Sequence, residues 1–334
     1  MNILVKNSVF IILALPLLFS SCNSGSVSKK LKPNSTTENI IVDTAAAIEL
    51  GHQLFFDRRM SITNKIACAS CHNPRKAFTD GIKKAKGIFG RKSLRNSPTL
   101  LNSNYQPHFM LDGGISTLEI QALDPLRDTA EMGNDMKDLT NKLRNIKAYN
   151  EQALKGFNRD IDPFVITKSL ALFQKTLMSE NAPFDNWLDG DSSALSADAK
   201  KGYDLFSGKM NCIACHSIPN LTNYEIKNNG WHDTYADQGR YRITADSSDI
   251  GAFKIPTLRN IILTAPYMHD GSAANLDEVL DSYQKGGSNH PNKADEVTGF
   301  YLSEKERKYV MAFFESLTDT SYMESLTPEE RAFE

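Results

Sequence analysis

Apolar positions recur at helical spacing along much of the chain. Met136, Leu139, Leu143 and Ile146 fall three or four residues apart, as do Ile166, Leu170, Phe173 and Leu177, the pattern of amphipathic helices that bury one face. Asp162-Pro163 stands where the second of these would start, with an acceptor for the first-turn N–H groups followed by a proline that needs no partner. Ser303 and Glu306 form a capping box ahead of Val310, Phe313, Phe314 and Leu317 on one face. These stripes read as core. Residues 181–196, rich in Asp, Ser and Ala, read as a linker, and residues 220–254, with few periodic signals, as a long loop wrapped around a site.

A different pattern opens the chain. After Lys6, residues 9–19 are uninterruptedly apolar, too short for a membrane helix of about 20 residues. With Ser20 and Ser21 behind it, the segment reads as an export signal over residues 1–21. Cys22 then resembles a lipoprotein attachment site, although Phe19 stands where leucine is usual. The alternative is an ordinary cleaved signal with an incidental cysteine. Residues 22–43, polar at first, read as a flexible tether. No later stretch has the apolar length of a membrane span, so the expected membrane contact is the N-terminal lipid alone.

The length, 334 residues, suggests two modest domains. Apolar residues at 40% against 23% charged are enough for ordinary cores. With 38 basic and 40 acidic side chains the net charge is -2, without the basic excess of a nucleic-acid binder.

The remaining four cysteines carry most of the chemistry. They stand as Cys68-Ala-Ser-Cys71-His72 and Cys212-Ile-Ala-Cys215-His216, the pattern of covalent c-type haem attachment. Two thioethers grip the porphyrin edge, and the adjacent histidine ligates iron. A Cys-x-x-Cys pair also serves in thioredoxin-like redox centres and in four-cysteine zinc sites. Neither requires the histidine that follows both pairs, and an exported chain has a use for thiols that would otherwise oxidise. The expectation is a dihaem c-type cytochrome.

The halves also repeat outside these motifs. Gly51-His-Gln-Leu54-Phe55 precedes the first and Gly202-Tyr-Asp-Leu205-Phe206 the second. Pro98-Thr99-Leu100 recurs 158 positions on as Pro256-Thr257-Leu258, Asp112-Gly113 as Asp270-Gly271, and Leu118-Glu119 as Leu276-Asp277. The haem motifs are offset by 144, so the second half holds 14 extra residues ahead of this block. The expected fold is mostly α: two tandem cytochrome c-like haem domains with long loops, residues 44–190 and 191–334, related by internal duplication.

Over roughly residues 44–320 the chain resembles the bacterial dihaem cytochrome c peroxidases, the family that includes MauG. The resemblance rests on Leu50-Gly-His-Gln-Leu-Phe-Phe-Asp57, Arg95-Asn96-Ser-Pro-Thr-Leu100, Gln121 with Glu131-Met-Gly133, Ile255-Pro-Thr-Leu-Arg-Asn260 and Ala265-Pro-Tyr-Met-His-Asp-Gly271. It implies that the first haem, on His72, is the peroxide site, with Gln121 and Glu131 as the distal pair. Glu131 would move a proton between the peroxide oxygens and Gln121 would hold the peroxide. The second haem, on His216, would transfer electrons. Its sixth ligand by this resemblance is Tyr283, about 14 residues past His269, as in MauG; Met268 is the competing choice. The position 158 before Tyr283 is Pro125, which has no side-chain donor. A phenolate would lower the second haem's potential, whereas Met raises it.

Three further features bear on that resemblance. The loop of residues 86–92, which in many members carries a removable histidine ligand, has none here, so the first haem is expected to be open without prior reduction. The nearest histidines, His52 and His108, read as surface or packing residues. Leu111 stands where the family usually has a tryptophan between the haems, leaving direct tunnelling, Tyr105 or Phe109 for electron exchange. The family's calcium would fall to Asn96, Thr264 and Pro266, the last two through carbonyls.

The expected activity is reduction of hydrogen peroxide to water, of the cytochrome-c peroxidase type, with electrons from a periplasmic donor such as cytochrome c. The alternatives are a MauG-like oxidase that uses peroxide to oxidise a protein or organic substrate, and a non-catalytic dihaem carrier. The oligomeric state stays open between monomer and homodimer.

Overall fold

The computed structural model describes residues 41–333. The signal, the tether up to residue 40 and the lipid-attachment reading of Cys22 lie outside the described residues. The anticipated helices form. Met136–Arg144 is capped by Asp135 and buries Leu139 and Leu143. Pro163–Lys175 starts behind Asp162, whose carboxylate accepts from Val165 N. Glu304–Glu315 carries the Ser303/Glu306 box and buries Val310, Phe313 and Phe314. Among the described residues, sheet is confined to one antiparallel pair, Ile226–Lys227 with Phe253–Lys254. Among the described residues no helix is long and apolar enough to cross a membrane.

The described residues form one compact unit with two main apolar clusters. The first gathers Leu50, Leu54, Phe55, Leu139, Leu143, Ile166, Leu170 and Phe173, with Cys68 packed against it. The second gathers Phe206, Leu258, Leu280, Val310, Phe313 and Phe314, with Cys212 packed against it. Each is organised around one close helix crossing. A Cβ on Gly51, in the helix Thr44–Phe56, would lie 1.9 Å from the Ser169 carbonyl oxygen and 3.0 Å from Phe173 Cβ. On Gly202, in the helix Ala197–Ser207, it would lie 2.0 Å from the Tyr309 oxygen and 2.7 Å from Phe313 Cβ. Only glycine lets these backbones touch, which accounts for the Gly-x-x-Leu-Phe repeat.

The repeat extends to backbone conformation. Asn102 and Asn260 are both left-handed, with φ of 57° and 58°, and each opens a single 3-10 turn. Met110 and Met268 share the same region with φ of 63° and 72°. The bridge Phe109↔Ile115 has its counterpart in Tyr267↔Ala273.

Two boundaries differ from the sequence reading. Residues 181–196 are not merely a linker: they contain the helix Pro183–Leu188, whose Phe184 is 1% exposed in the second cluster. The buried Arg259 guanidinium grips Asp185 of this helix with two bonds of 2.7 Å. At the other end, Tyr322 and Leu326 pack back on the first cluster rather than the second. Polar composition hid both, because one or two aromatic side chains suffice to dock a short segment.

Gly202→Ala is expected to force the Ala197–Ser207 and Glu304–Glu315 helices apart and to cost about 1–3 kcal/mol. Denaturant unfolding of the haem-loaded protein measures it; an unchanged midpoint would contradict the crossing described.

Candidate active site

The first attachment motif forms the short helix Cys68–Cys71. His72 follows, and its Nδ1 lies 2.8 Å from the Phe78 carbonyl oxygen. A carbonyl only accepts, so Nδ1 carries the proton and Nε2 keeps its lone pair for a metal. His216 repeats this at 3.1 Å from the Leu221 carbonyl. Burial lowers the pKa of both rings, that of His216 to about 4, which holds them in the neutral form a ligand needs.

The cysteines are free and their surroundings apolar. Burial pushes the thiols of Cys68, Cys71 and Cys212 up to about 12. The two pairs pack against different clusters, so they do not combine into one four-cysteine zinc site, and covalent haem attachment also uses the histidine that follows each pair. Among the described residues, the partly buried Lys254 Nζ bonds to the Gln106 side chain and, at 3.0 Å, to the His108 carbonyl, and burial lowers its pKa to about 8. The residues present therefore fit two covalent haems.

Glu131 belongs with the first motif. Its charge helps raise the pKa of both Cys68 and Cys71. Burial, with Asp128 and Asp124 adding to it, raises the Glu131 carboxyl itself to about 7. Its turn is fixed by Glu131 N to Asp128 O at 3.0 Å, and by Ile88 N, which donates to the Glu131 carbonyl at 2.9 Å. Gln121 ends the helix Leu118–Gln121 and is partly buried.

Around the second motif, Tyr283 lies on the helix Leu276–Gln284. Cys212 and Cys215 both act on its hydroxyl, and burial raises its pKa to about 12. Asn229 Nδ2 lies 3.3 Å from the Tyr283 oxygen and 3.4 Å from Met268 Sδ. Tyr283 and Met268, read from sequence as rivals, thus stand at one amide. Asn229 was not anticipated: it sits in the aperiodic stretch, where no spacing singles it out.

The two halves meet at Arg95, which bonds Asp112 at 2.7 Å and Asp237 at 2.6 Å. Leu111 is partly buried and its carbonyl accepts from Lys254 N at 2.6 Å. Phe109 is buried nearby, whereas Tyr105 is half exposed and bonded to Glu180. His52 is a packing residue, 2.9 Å from Glu330 and stacked on Phe173. His108 Nε2 is buried without a hydrogen-bond partner among the described residues. At the calcium candidates, Asn96 turns its amide N–H to the Ile82 carbonyl at 2.9 Å, which leaves its oxygen for a cation.

These features agree with the comparisons to known proteins. Residues 45–193 match the family model for di-haem cytochrome c peroxidases. The chain is 38% identical to the methylamine utilization protein MauG of Methylorubrum extorquens, over 82% of this chain and 78% of that protein. It is 33% identical to the cytochrome c551 peroxidase of Nitrosomonas europaea, over 92% and 89%. A solved MauG-like protein associated with microbial copper homeostasis superposes with a TM-score of 0.80 at 29% identity, covering 86% of this chain and 92% of that one. The chain belongs to the di-haem cytochrome c peroxidase/MauG family. It is an oxidoreductase that acts on peroxide, and its family cofactor is a pair of c-type haems.

Replacing Cys68 and Cys71 together is expected to leave one haem mass on the chain, as is replacing Cys212 and Cys215. Denaturing mass spectrometry reads the covalent load; two haems surviving either double substitution would refute the attachment sites.

Proposed function

We propose that this protein reduces hydrogen peroxide at the haem held by Cys68, Cys71 and His72, with Glu131 as the proton-transfer group. The single observation that supports the reading is the place of Glu131, a partly buried carboxyl close enough to Cys68 and Cys71 for its charge to act on both, with its own pKa raised by desolvation to about 7. A haem bound there supplies an iron with a vacant position for peroxide and a store for oxidising equivalents. Glu131, as carboxylate, accepts the proton of the near peroxide oxygen and returns it to the far one, so that water can leave. Gln121 orients the peroxide by hydrogen bonding. Two electrons and two protons complete the reduction to two waters.

In this reading the chain comprises two tandem haem domains that arose by duplication, the second transferring electrons through the haem on His216. Tyr283 would supply a second protein ligand to the iron of that haem, with Asn229 donating to the phenol oxygen. Calcium is held by Asn96 and the Thr264 and Pro266 carbonyls. The protein is exported and carries a lipid on Cys22. The electron source is a periplasmic donor such as cytochrome c. A second reading is favoured by the Tyr283–Asn229 contact: a hard anionic ligand makes the second haem a poor acceptor from ordinary cytochromes and a good store of oxidising power. The electrons then come from a protein or organic substrate, as the name of the MauG relative suggests.

The ferric spectrum and steady-state turnover decide. A high-spin first haem and sustained peroxide consumption with reduced cytochrome c support the peroxidase. A high-valent state that persists without consuming that donor supports substrate oxidation, and two six-coordinate low-spin haems refute both.

Glu131→Gln is expected to slow the reaction with peroxide by about 10²–10⁴-fold. In the native protein the rate should rise with pH through about 7, because the carboxylate is the active form, and the variant should lose that rise. Stopped-flow absorbance measures both. Tyr283→Phe is expected to change the spectrum and potential of the low-spin haem, and a redox titration showing neither change would discard Tyr283 as ligand.

A further inference from the structure

On the loops that carry Asn229 and Met268, three metal-ligating side chains converge. One donor atom each from His232, His269 and Asp270 lies within 4.8 Å of the others. His232 Nε2 stands 3.2 Å from Asp270 Oδ2. A tetrahedral ion with bonds of 2.0–2.1 Å sets its donors about 3.3 Å apart, so this pair already has the spacing of one coordination edge.

Each side chain is braced from behind. The His269 ring stacks on Phe253 at 4.0 Å and 14°, and its main-chain carbonyl accepts from Asn96 N at 2.8 Å. Asp270 gives Oδ1 to the Ser272 N–H at 3.0 Å, leaving Oδ2 for His232. Trp231 Nε1 donates to Ser272 Oγ at 2.6 Å, and Ser288 Oγ donates to the His232 carbonyl at 2.9 Å. The site is reachable from solvent, since the His232 and Asp270 side chains are 33% and 24% exposed.

A simple ion pair between His232 and Asp270 accounts for two of these groups. It leaves out the third imidazole, His269, which packs edge-on to His232 and stacks on Phe253 without a hydrogen bond to its ring among the described residues. The nearby Arg95 guanidinium is already neutralised by Asp112 and Asp237, so it adds little repulsion against a cation. Two imidazoles and one carboxylate suit zinc, copper(II) or nickel, whereas calcium and magnesium require oxygen donors throughout.

We propose that His232, His269 and Asp270 bind one divalent transition-metal ion, distinct from the two haem irons and from the calcium candidates. The ion ties together the loops that serve the second haem site. His232 lies three residues past Asn229, and His269 directly follows Met268. Asn229 Nδ2 is the atom that reaches both Tyr283 and Met268. Metal at the cluster therefore fixes the amide that contacts the phenol, and its loss loosens it.

The test uses untagged, haem-loaded protein stripped with a chelator and titrated calorimetrically with Zn²⁺, which is redox-silent. One equivalent should bind at neutral pH and remain bound in excess calcium. His232→Ala and Asp270→Asn should each weaken it by about tenfold or more, whereas His52→Ala should leave it unchanged. Zinc should also perturb the optical spectrum of the low-spin haem in the native protein and not in His232→Ala. Haem content and thermal unfolding confirm that the variants are folded; Asp270→Asn keeps the side-chain volume should His232→Ala fail to fold. Absence of zinc binding, displacement by calcium, or undiminished binding in both cluster variants would overturn the site. None of these results depends on peroxide turnover, so the proposal can fail while the peroxidase reading stands.

Discussion

The bond from each motif histidine to a backbone carbonyl holds the rest of the architecture in place. It favours the tautomer with the proton on Nδ1, and a second carbonyl also acts on each ring, that of Pro98 on His72 and that of Pro256 on His216. The carbonyls at Nδ1 come from Phe78 and Leu221, and both residues are left-handed, with φ of 57° and 53°. For residues with such side chains this conformation costs on the order of 1–2 kcal/mol. Both side chains are fully buried, at 0% exposure. Burying a Phe or Leu contributes about 1.5–3 kcal/mol, enough to offset the strain. Each half thus spends part of its core on turning one carbonyl toward one imidazole. The same device in both halves explains why unrelated loop sequences follow the two motifs.

On this shared frame the halves diverge in what faces the ligand side. The first offers a carboxylic acid poised near neutrality, and the position matching Tyr283 is Pro125, which has no donor. The second offers a phenol, a thioether and an amide within contact of one another. Asp112 and Asp270 occupy matching positions and each uses Oδ1 to cap the N–H two residues on. The other oxygen of Asp112 holds Arg95, while that of Asp270 faces His232. Where the backbone repeats, the turn is a structural requirement; where the side-chain partner changes, the two matching turns make different contacts.

Much of this was legible in the sequence, for a physical reason. The attachment motifs are local, with all ligating atoms within five residues, so spacing alone identifies them. Helices with strict periodicity and good caps, such as Pro163–Lys175 and Glu304–Glu315, formed where the pattern put them. Glu131 was reachable only through family resemblance, because nothing local says that a carboxylate on a turn lies beside cysteines about sixty positions earlier. Asn229 and the His232/His269/Asp270 cluster escaped altogether. They depend on how an aperiodic stretch is draped over the second core, and long-range placement of that kind leaves no periodic trace. The helix Pro183–Leu188 was missed because Phe184 and Trp187 dock it within a composition that otherwise suits a linker.

The segment above the first site shows how sequence and structure bear on one question from opposite sides. Residues 86–92 contain no imidazole; their polar side chains are those of Lys86, Arg91 and Lys92. The structure adds that this segment is not free to swing. Its ends pair across the bridge Lys86↔Lys92, and Ile88 N donates to the Glu131 carbonyl at 2.9 Å. Gly87 lies so close to the next turn that a Cβ would come within 2.0 Å of the Ala130 oxygen. Phe89, the largest side chain of the loop, is 75% exposed and left-handed, so it covers nothing beneath it. The loop of residues 86–92 is thus a brace for the turn that carries Glu131.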